Sequence, residues 1–308
     1  MLNTFTSANF HRITLAVLMA VSISASAKDE LIWNTLDPEN TVYLQLQEGT
    51  VVILLNPDFA PKTVKRFKEL LEEQFYRGMS FYRVIDGFVA QGGDESDIDG
   101  SDTSETLKAE FEIHWPLKPK DKEEAEDWLP MSWTPVQKDD MFAPYTGFID
   151  GFPAARDEKK GGKAWLTHCP GTIAMARNDG PNTGRTDFYI VIGQAPRYLD
   201  RNLTVFGRVV WGMDVVQRIK RGPTLKNGII EGDLDRTWIK RMRLASSLEE
   251  NEQLDIWMAD TNSKGFKNTL KERRNRSNKF FYHKPPKVLD ICQVPVPVRL
   301  EKRPSTRR

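Results

Sequence analysis

The chain has 308 residues, of which 39% are hydrophobic, and its 44 Lys and Arg against 43 Asp and Glu give a formal net charge of +1. This length is enough to bury one full-sized core, with residues left for an insertion or an appended segment. A near-neutral chain lacks the strong positive field with which proteins bind nucleic-acid phosphates. We therefore expect no nucleic-acid partner.

The first 27 residues have the three regions of a secretory signal peptide. His11 and Arg12 precede an apolar run from Ile13 to Ile23, and Ala25-Ser26-Ala27 supplies a small-x-small cleavage pattern. We expect cleavage near Ala27-Lys28 and a periplasmic or secreted mature protein; a retained anchor or a buried helix is the alternative. The apolar run is shorter than the ~20 residues that cross a bilayer, and no later run is longer. No transmembrane anchor is therefore expected in the mature chain.

The next segments predict a β-hairpin followed by a helix. The β-rich runs Thr41–Leu46 and Val51–Leu55 are joined through a short polar turn. Pro61 suits the first turn of a helix. Apolar residues then recur at helical spacing, at Val64, Phe67, Leu71 and Phe75. We expect this apolar face to pack on a sheet.

Two more strands precede a long polar stretch. Phe81–Ile85 and Phe88–Ala90 are strand-like runs separated by the Asp86-Gly87 turn signal. From Glu95 to about Gly162 the chain is polar and acidic, apart from one predicted strand at Thr106–Ile113. A loop of this length within a compact domain usually has a function or some structure of its own. We predict that it is an insertion and not a separate domain.

Strand periodicity resumes after this insertion. The predicted elements are strands at Gly171–Ala176, Phe188–Ile192, Val205–Val210 and Trp238–Ala245, with a short helix at Met213–Ile219. Many short strands with two helices are typical of a closed β-barrel capped by helices. The predicted fold class is therefore all-β with two capping helices.

The composition changes again in the basic C-terminal extension, residues 262–308. Lys and Arg predominate there, and Pro285-Pro286 and Pro295-Val-Pro297 favour extended backbone. We expect this extension to lie outside the barrel. Two interpretations are open: it is a solvated polar segment, or it contacts an anionic surface, either a membrane or the acidic stretch at 121–127.

The chain has two cysteines, Cys169 and Cys292. In an oxidising compartment they can pair, although two free thiols are an equal alternative. If they pair, the chain-entropy model gives a stabilisation of roughly 4–5 kcal/mol for the long loop that they close.

Three motifs indicate the family. Residues 81–94 read F-Y-R-V-I-D-G-F-V-A-Q-G-G-D, residues 175–190 read M-A-R-N-D-G-P-N-T-G-R-T-D-F-Y-I, and Tyr198-Leu-Asp200 is followed by Val205-Phe-Gly207. These segments resemble, in the same order, the signatures of the cyclophilin family of peptidyl-prolyl cis/trans isomerases. The resemblance spans about Thr41 to Ala245 and is interrupted by the acidic insertion.

The resemblance implies a fold and an activity. Family members form a closed eight-stranded antiparallel β-barrel with a ligand groove on its surface, which here would occupy residues 38–248 with the insertion at about 95–162. The implied reaction is rotation about X-Pro bonds in proline-containing polypeptide clients. For an exported bacterial member, it would assist the folding of exported proteins.

The resemblance also implies the site residues. Arg83 and Gln91 correspond to the catalytic Arg and Gln, with Arg83 donating to the prolyl nitrogen as the peptide bond twists. The pattern alone leaves open whether the aromatic residues on these strands line a pocket or belong to an ordinary core. The substrate-binding positions implied by the family are Phe88, Val89, Ala176, Asp187, Tyr189, Tyr198 and Leu203.

Three of these positions depart from the family pattern. Asp187 stands where the family usually has Gln, and an ionised carboxylate only accepts hydrogen bonds. It would either pair with Arg83 and weaken it or help to orient it. Tyr198 replaces the usual Trp, and Leu203 stands where many members have His.

These departures motivate an alternative function, a catalytically weak peptide-binding chaperone or assembly factor. The predicted chemistry needs no additional group. Rotation about an amide bond requires no nucleophile, and no cofactor is expected. Asp58 and Asp94 lack any recognisable metal-ligand spacing, so no metal site is assigned.

Overall fold

A computed structural model of the chain describes residues 30–95, 105–115, 132–159 and 162–301. The predicted signal peptide, residues 1–27, lies outside the described residues, as do parts of the acidic insertion and the last residues of the basic C-terminal extension.

The described residues form mainly β-strands, with three α-helices: α1 Pro61–Glu72, α2 Met213–Val216 and α3 Lys264–Asn275. The strands are β1 Trp33–Thr35, β2 Thr41–Gln45, β3 Thr50–Leu55, β4 Ser80–Ile85, β5 Val89–Gly93, β6 Ile113–His114, β7 Trp133–Lys138, β8 Tyr145–Ile149, β9 Phe152–Asp157, β10 Lys163–Leu166, β11 Thr172–Met175, β12 Phe188–Val191, β13 Val205–Trp211, β14 Thr237–Trp238, β15 Arg241–Leu244, β16 Asp255–Ala259 and β17 Val298–Glu301.

The main sheet has nine antiparallel strands in the order β14-β4-β5-β12-β11-β13-β3-β2-β15. The prediction of a closed eight-stranded barrel is wrong in strand number and closure. The predicted strand Trp238–Ala245 is interrupted at Ile239 and Lys240, whose N–H groups donate to the carbonyls of Met79 and Gln45 respectively. The chain therefore leaves β4 and joins β2 at this point. It contributes two short strands to the two edges of a curled sheet.

Helix α1 covers one end of the core, as the sequence predicts. Its buried face includes Val64, Phe67 and Leu71, and Phe67 packs against Phe188 and Phe206 of the main sheet. The helix ends at Glu72, because Gln74 adopts a left-handed backbone conformation with φ of 55°. The second predicted helix is α2, which is shorter than expected.

The N-terminus of α1 is capped from a distant segment. Ala60 offers no side-chain cap, but the Glu110 carboxylate accepts the N–H groups of Lys62 and Thr63, both at 2.9 Å. These are donors that a helix leaves unsatisfied in its first turn. The negative charge also lies at the positive end of the helix dipole.

The predicted strand Thr106–Ile113 does not form. Leu107 makes only an isolated bridge to Gly184, and the strand β6 begins at Ile113. Between them, the N–H groups of Ala109 and Glu110 donate to the side chains of Asn182 and Thr204. The backbone of this segment is therefore bound by loop side chains and not by a neighbouring strand.

Strands of the insertion form a second sheet together with β10, which directly follows the predicted insertion; this sheet was not predicted from the sequence. Its five antiparallel strands have the order β6-β10-β9-β8-β7. One face packs on the outer face of the main sheet, where Phe152, Ala154 and Leu166 share a hydrophobic cluster with Val89 and Tyr189. The buried guanidinium of Arg208, on β13, also donates to the Gly151 carbonyl. Burial lowers the pKa of Arg208 to about 10.

The described part of the C-terminal extension lies outside the main sheet, and two stretches of it are buried while the loop between them is exposed. Helix α3 and the chain after it bury Phe266, Leu270 and Ile291 against Val136 and Phe148 of the insertion sheet. A third sheet, in the order β1-β16-β17, joins the two ends of the described chain. Insertion and C-terminal extension therefore share one core.

The two cysteines are paired in a Cys169–Cys292 disulfide. Cys169 lies just before β11 of the main sheet, and Cys292 lies in the C-terminal extension. The bond thus links the main sheet to the core shared by the insertion and the C-terminal extension. Among the residues that the model describes, no helix has the length and apolar character to cross a membrane.

Candidate active site

A row of aligned residues crosses the main sheet. Arg83 on β4 pairs with Gln91 on β5, Gln91 pairs with Tyr189 on β12, and Tyr189 pairs with Ala174 on β11. Residues aligned in this way project to the same face of a sheet. Phe188 and Ile190, which alternate with Tyr189, are buried in the core beneath the sheet. The aligned row therefore lies on the outer face.

Arg83 and Gln91 form the polar part of the site. One Nη of Arg83 donates to Oε1 of Gln91 at 2.9 Å, and Nε2 of Gln91 donates to the Tyr82 hydroxyl at 2.6 Å. The Arg83 side chain is half-buried, and this burial lowers the pKa of its guanidinium from the ordinary value. An arginine nevertheless stays protonated at neutral pH. The row therefore presents a fixed cation at the protein surface.

An apolar wall lies beside this cation. Val89, Ala176 and Tyr189 belong to one hydrophobic cluster, against which the half-buried Phe88 and Leu203 pack. The turn that carries Phe88 is held by its carbonyl, which accepts the Ile192 N–H at 2.9 Å. A Cβ at Gly193 would stand 1.8 Å from the Gly87 carbonyl oxygen, so only glycine allows this close approach.

The structure brings the predicted site residues together. Arg83, Gln91, Tyr189 and the apolar residues share the outer face, and Tyr198 is 65% exposed on the turn Arg197–Leu199. Tyr198 is near enough to Tyr189 to contribute to the raised pKa of that phenol. Asp187 is fully buried, and its carboxylate accepts the Tyr82 hydroxyl and the Asp94 N–H. It is connected to Arg83 through Tyr82 and Gln91 and does not pair with it directly.

Sequence reasoning missed a buried polar chain behind Tyr189. The Tyr189 hydroxyl lies 2.9 Å from Nε2 of His168, and Nδ1 of His168 lies 3.0 Å from Oδ1 of Asp200. Arg197 donates to the other Asp200 oxygen at 2.6 Å. Burial, and secondarily Asp200, raise the pKa of Tyr189 well above its ordinary value. The signal available in the sequence was Asp200 itself, which the third motif contains.

The described residues contain no group of three or more His, Cys, Asp and Glu side chains placed to hold a metal ion. What the site offers is a positioned guanidinium on the same sheet face as a largely buried apolar cluster, at which Phe88 and Leu203 remain partly exposed. The guanidinium can donate hydrogen bonds to a bound group. Fold and site together define the class of protein as a peptidyl-prolyl isomerase.

Comparison with known proteins gives the family. The model of the family described as "Cyclophilin type peptidyl-prolyl cis-trans isomerase/CLD" matches residues 41–240. The chain belongs to this family and is a cyclophilin-type peptidyl-prolyl cis-trans isomerase.

Relatives of this chain include bacterial isomerases. A probable peptidyl-prolyl cis-trans isomerase of Brucella suis biovar 1 (strain 1330) is 31% identical over 231 residues, covering 72% of this chain and 92% of that protein. Peptidyl-prolyl cis-trans isomerase B of Bacillus subtilis (strain 168) is 28% identical over 193 residues, covering 62% of this chain and 99% of the relative.

Among solved structures, that of cyclophilin AquaCyp293 from Hirschia baltica is similar, with a TM-score of 0.67 and 27% sequence identity. The matched residues cover 87% of this chain and 93% of the Hirschia baltica chain. The shared part is longer than the segment 41–240 that matches the family model. The similarity therefore extends into the regions outside the main sheet.

Proposed function

We propose that the protein accelerates rotation about X-Pro bonds in exported polypeptides, with Arg83 as the catalytic centre. The observation that carries this proposal is the 2.9 Å hydrogen bond from Arg83 to Gln91, in one aligned row with Tyr189. It places a half-buried cation beside an apolar wall. A prolyl ring binds to an apolar surface, and the peptide bond before it needs a hydrogen-bond donor at the same time.

The chemistry requires stabilisation of a twisted amide. Resonance gives the peptide bond a rotational barrier of about 18–20 kcal/mol. In the twisted state the prolyl nitrogen gains a lone pair, which accepts a hydrogen bond far better than the flat amide does. Arg83 donates to that lone pair and so binds the twisted state more tightly than either ground state. Each ~1.36 kcal/mol of this preference is worth tenfold in rate.

The other predicted residues hold the substrate. The partly exposed Phe88 and Leu203 form the apolar surface for the proline ring, and the buried Val89, Ala176 and Tyr189 support them from the same hydrophobic cluster. Gln91 holds Arg83, and Tyr198 contacts the peptide at the rim. If the ring is fixed in this way, only one side of the bond is free to rotate. No covalent bond is made or broken, so the residues of the chain itself suffice.

The decisive experiment compares the protein from Lys28 onward with its Arg83→Ala variant, in cis-to-trans exchange of an Ala-Pro peptide. We expect wild type to accelerate exchange and Arg83→Ala to lose at least tenfold in kcat/KM. Arg77→Ala, at an exposed position after α1, is the matched control and should keep full activity. Equal activity in wild type and Arg83→Ala would instead support the alternative of a peptide-binding chaperone.

Export follows from the predicted signal peptide and is part of the proposal. Expression of the full chain in a bacterium, followed by fractionation and N-terminal sequencing, tests it. We expect a mature protein that begins near Lys28 in the periplasm or the medium. An intact N-terminus in the cytoplasm would contradict export without affecting the proposal for Arg83.

We also propose that the C-terminal extension contacts an anionic surface. Between Arg273 and Leu289 the chain has six Lys and Arg residues and no Asp or Glu. In the same loop Phe280 is 78% exposed and Tyr282 is 95% exposed. Aromatic side chains beside cations suit the interface of an anionic membrane.

Co-sedimentation with phosphatidylglycerol vesicles tests this contact. We expect binding that weakens with salt, and that is lost in a Phe280→Ser/Tyr282→Ser variant. Phosphatidylcholine vesicles should not bind. Absence of sedimentation with phosphatidylglycerol at low salt would contradict the contact.

A further inference from the structure

We propose that Asp187 is a positioning residue, which sets the direction of a hydrogen-bond chain behind Arg83 and thereby turns the Gln91 oxygen toward the guanidinium. The inference rests on the proposed role of Arg83. It assigns a function to the position at which this chain departs from the usual Gln of the family pattern.

The Asp187 carboxylate is fixed by close contacts on both of its oxygens. Its side chain is fully buried, and Oδ1 accepts the backbone N–H of Asp94 at 2.9 Å. A Cβ at Gly93 would stand 1.7 Å from that same oxygen, and the Gly93 backbone has a φ of +149°. The carboxylate is therefore pressed against the end of β5. Its second oxygen, Oδ2, accepts the hydroxyl of Tyr82.

A carboxylate at position 187 determines which group donates and which accepts in the hydrogen bonds from Tyr82 to Gln91. An ionised Asp only accepts hydrogen bonds, so the Tyr82 hydroxyl must donate its single proton to Asp187. The Tyr82 oxygen then accepts from the nearest group of Gln91, which is Nε2 at 2.6 Å. The amide oxygen of Gln91 is thereby left to face Arg83 at 2.9 Å.

This direction matters because the two ends of a side-chain amide have nearly the same shape. Sterics alone do not choose between them, and the hydrogen-bond network decides which end faces a given neighbour. A guanidinium has donors only, so the oxygen end of Gln91 holds Arg83 while the NH2 end repels it. Asp187 makes this choice through Tyr82, two hydrogen bonds away from Gln91.

A neutral amide at position 187 would reverse the chain. In Asp187→Asn the amide oxygen is needed by the Asp94 N–H, which leaves the NH2 group to donate to the Tyr82 oxygen. Tyr82 then donates its proton to Gln91, and Gln91 turns its NH2 toward Arg83. The NH2 group of Gln91 and the guanidinium of Arg83 would then face each other. Both groups only donate hydrogen bonds, so Gln91 could no longer hold Arg83 in place.

The experiment is a double-mutant cycle in the Ala-Pro exchange assay, with kcat and KM measured separately. We expect Asp187→Asn to lower kcat about tenfold with KM little changed, because the twisted state loses its donor. Tyr82→Phe breaks the chain without reversing it, and we expect a loss of roughly two- to fourfold. We expect the double variant to be as active as Tyr82→Phe. Without the Tyr82 hydroxyl, the amide at position 187 has no hydrogen-bond path through which it can turn Gln91.

That recovery separates positioning from a structural role. If Asp187 merely stabilised the fold, the double variant would be less active than either single variant, which overturns the proposal. Asp86→Asn is the matched control, because it removes an exposed carboxylate in the turn between β4 and β5, outside the hydrogen-bond chain. A tenfold loss in that variant would show a general effect of charge and would also overturn the proposal.

A second readout applies even if Asp187→Asn fails to fold. In wild type the side-chain NH2 signals of Gln91 should show a hydrogen bond to Tyr82, and Tyr82→Phe should shift them. Unchanged signals and unchanged kcat in Tyr82→Phe overturn the proposal. Loss of activity in Arg83→Ala together with full activity in Asp187→Asn overturns this inference alone, whereas an active Arg83→Ala removes the proposed function on which it rests.

Discussion

The Tyr189 hydroxyl and Nε2 of His168 lie 2.9 Å apart, with the two rings nearly parallel at an interplanar angle of 14°. Asp200, as a carboxylate, accepts a hydrogen bond from the Nδ1–H of His168, so Nε2 is left as an acceptor for the Tyr189 hydroxyl. The polar end of Tyr189 is therefore satisfied inside the protein. Its contribution to the site is that of a buried apolar ring, in the cluster against which Phe88 and Leu203 pack.

We predict that the ring of Tyr189 matters for catalysis and that its hydroxyl matters for stability. Tyr189→Phe should lower the free energy of unfolding by about 1–3 kcal/mol, because it leaves a buried His168 nitrogen without its donor. Its kcat/KM should stay within about threefold of wild type, whereas Tyr189→Ala should lose tenfold or more. Urea unfolding and peptide exchange measure the two effects. A large catalytic loss in Tyr189→Phe would contradict the assignment.

We predict that Glu110 stabilises α1 from outside the helix. Glu110→Ala removes the acceptor for the Lys62 and Thr63 N–H groups and should cost about 1–2 kcal/mol of unfolding free energy. Glu110→Gln keeps one acceptor oxygen and should cost less. Glu105→Ala, at an exposed position of the same segment, is the control for urea unfolding. Equal stability of all three variants would show that solvent caps the helix equally well.

We predict that the Cys169–Cys292 disulfide contributes about 4–5 kcal/mol, since it closes a loop with a sequence separation of 123. A Cys169→Ser/Cys292→Ser variant should unfold at lower urea concentration by a corresponding amount. Adding reductant should destabilise wild type and leave the variant unchanged. If reductant has no effect on wild type, the bond does not form in solution.

We predict that Tyr76 makes the protein sensitive to alkaline pH. Burial, and secondarily Asp187, raise the pKa of its phenol well above the ordinary value of 10.0. The unfolded chain ionises this phenol near pH 10 while the folded chain does not. The contribution of Tyr76 is therefore complete below about pH 9 and declines as pH rises above 10, by at most about 1.4 kcal/mol per pH unit.

Tyr76→Phe isolates this effect from other titrating groups. The difference in unfolding free energy between wild type and the variant should be constant from pH 7 to 9. It should move in favour of the variant between pH 10 and 11. A difference that does not change with pH would show that the folded phenol ionises as easily as the unfolded one.

Much of the main sheet was predictable from the sequence because it depends on local patterns, whereas the site residues were indicated by the resemblance to the family motifs. The hairpin β2–β3, the helix α1 and the strands β4 and β5 follow from alternation, from Pro61 and from the Asp86-Gly87 turn. The motif residues Arg83 and Gln91 then meet because β4 and β5 pair in register. Adjacent strands joined by a short turn leave little choice of register.

The second sheet was not predictable for a physical reason. The apolar residues of β7 and β8 are buried mainly by elements more than a hundred residues later, as in the packing of Phe148 on Phe266 at 5.5 Å. No local periodicity in the sequence predicts a packing partner that is so far away along the chain. The hydrogen-bond partners of Asp187 were likewise not predictable, because they depend on where Tyr82 and Asp94 bring their atoms in three dimensions.

The shared core of the insertion and the C-terminal extension has a consequence for the order in which an exported chain folds. The strands of the main sheet are complete once the chain has passed Leu244, yet Val136 and Phe148 await Phe266 and Ile291 to cover them. A chain that folds from its N-terminus therefore has a complete main sheet beside an uncovered apolar face until the segment from Phe266 to Cys292 has packed. Any factor that shields partly folded chains would find its binding surface on the insertion, and would lose it when Cys292 pairs with Cys169.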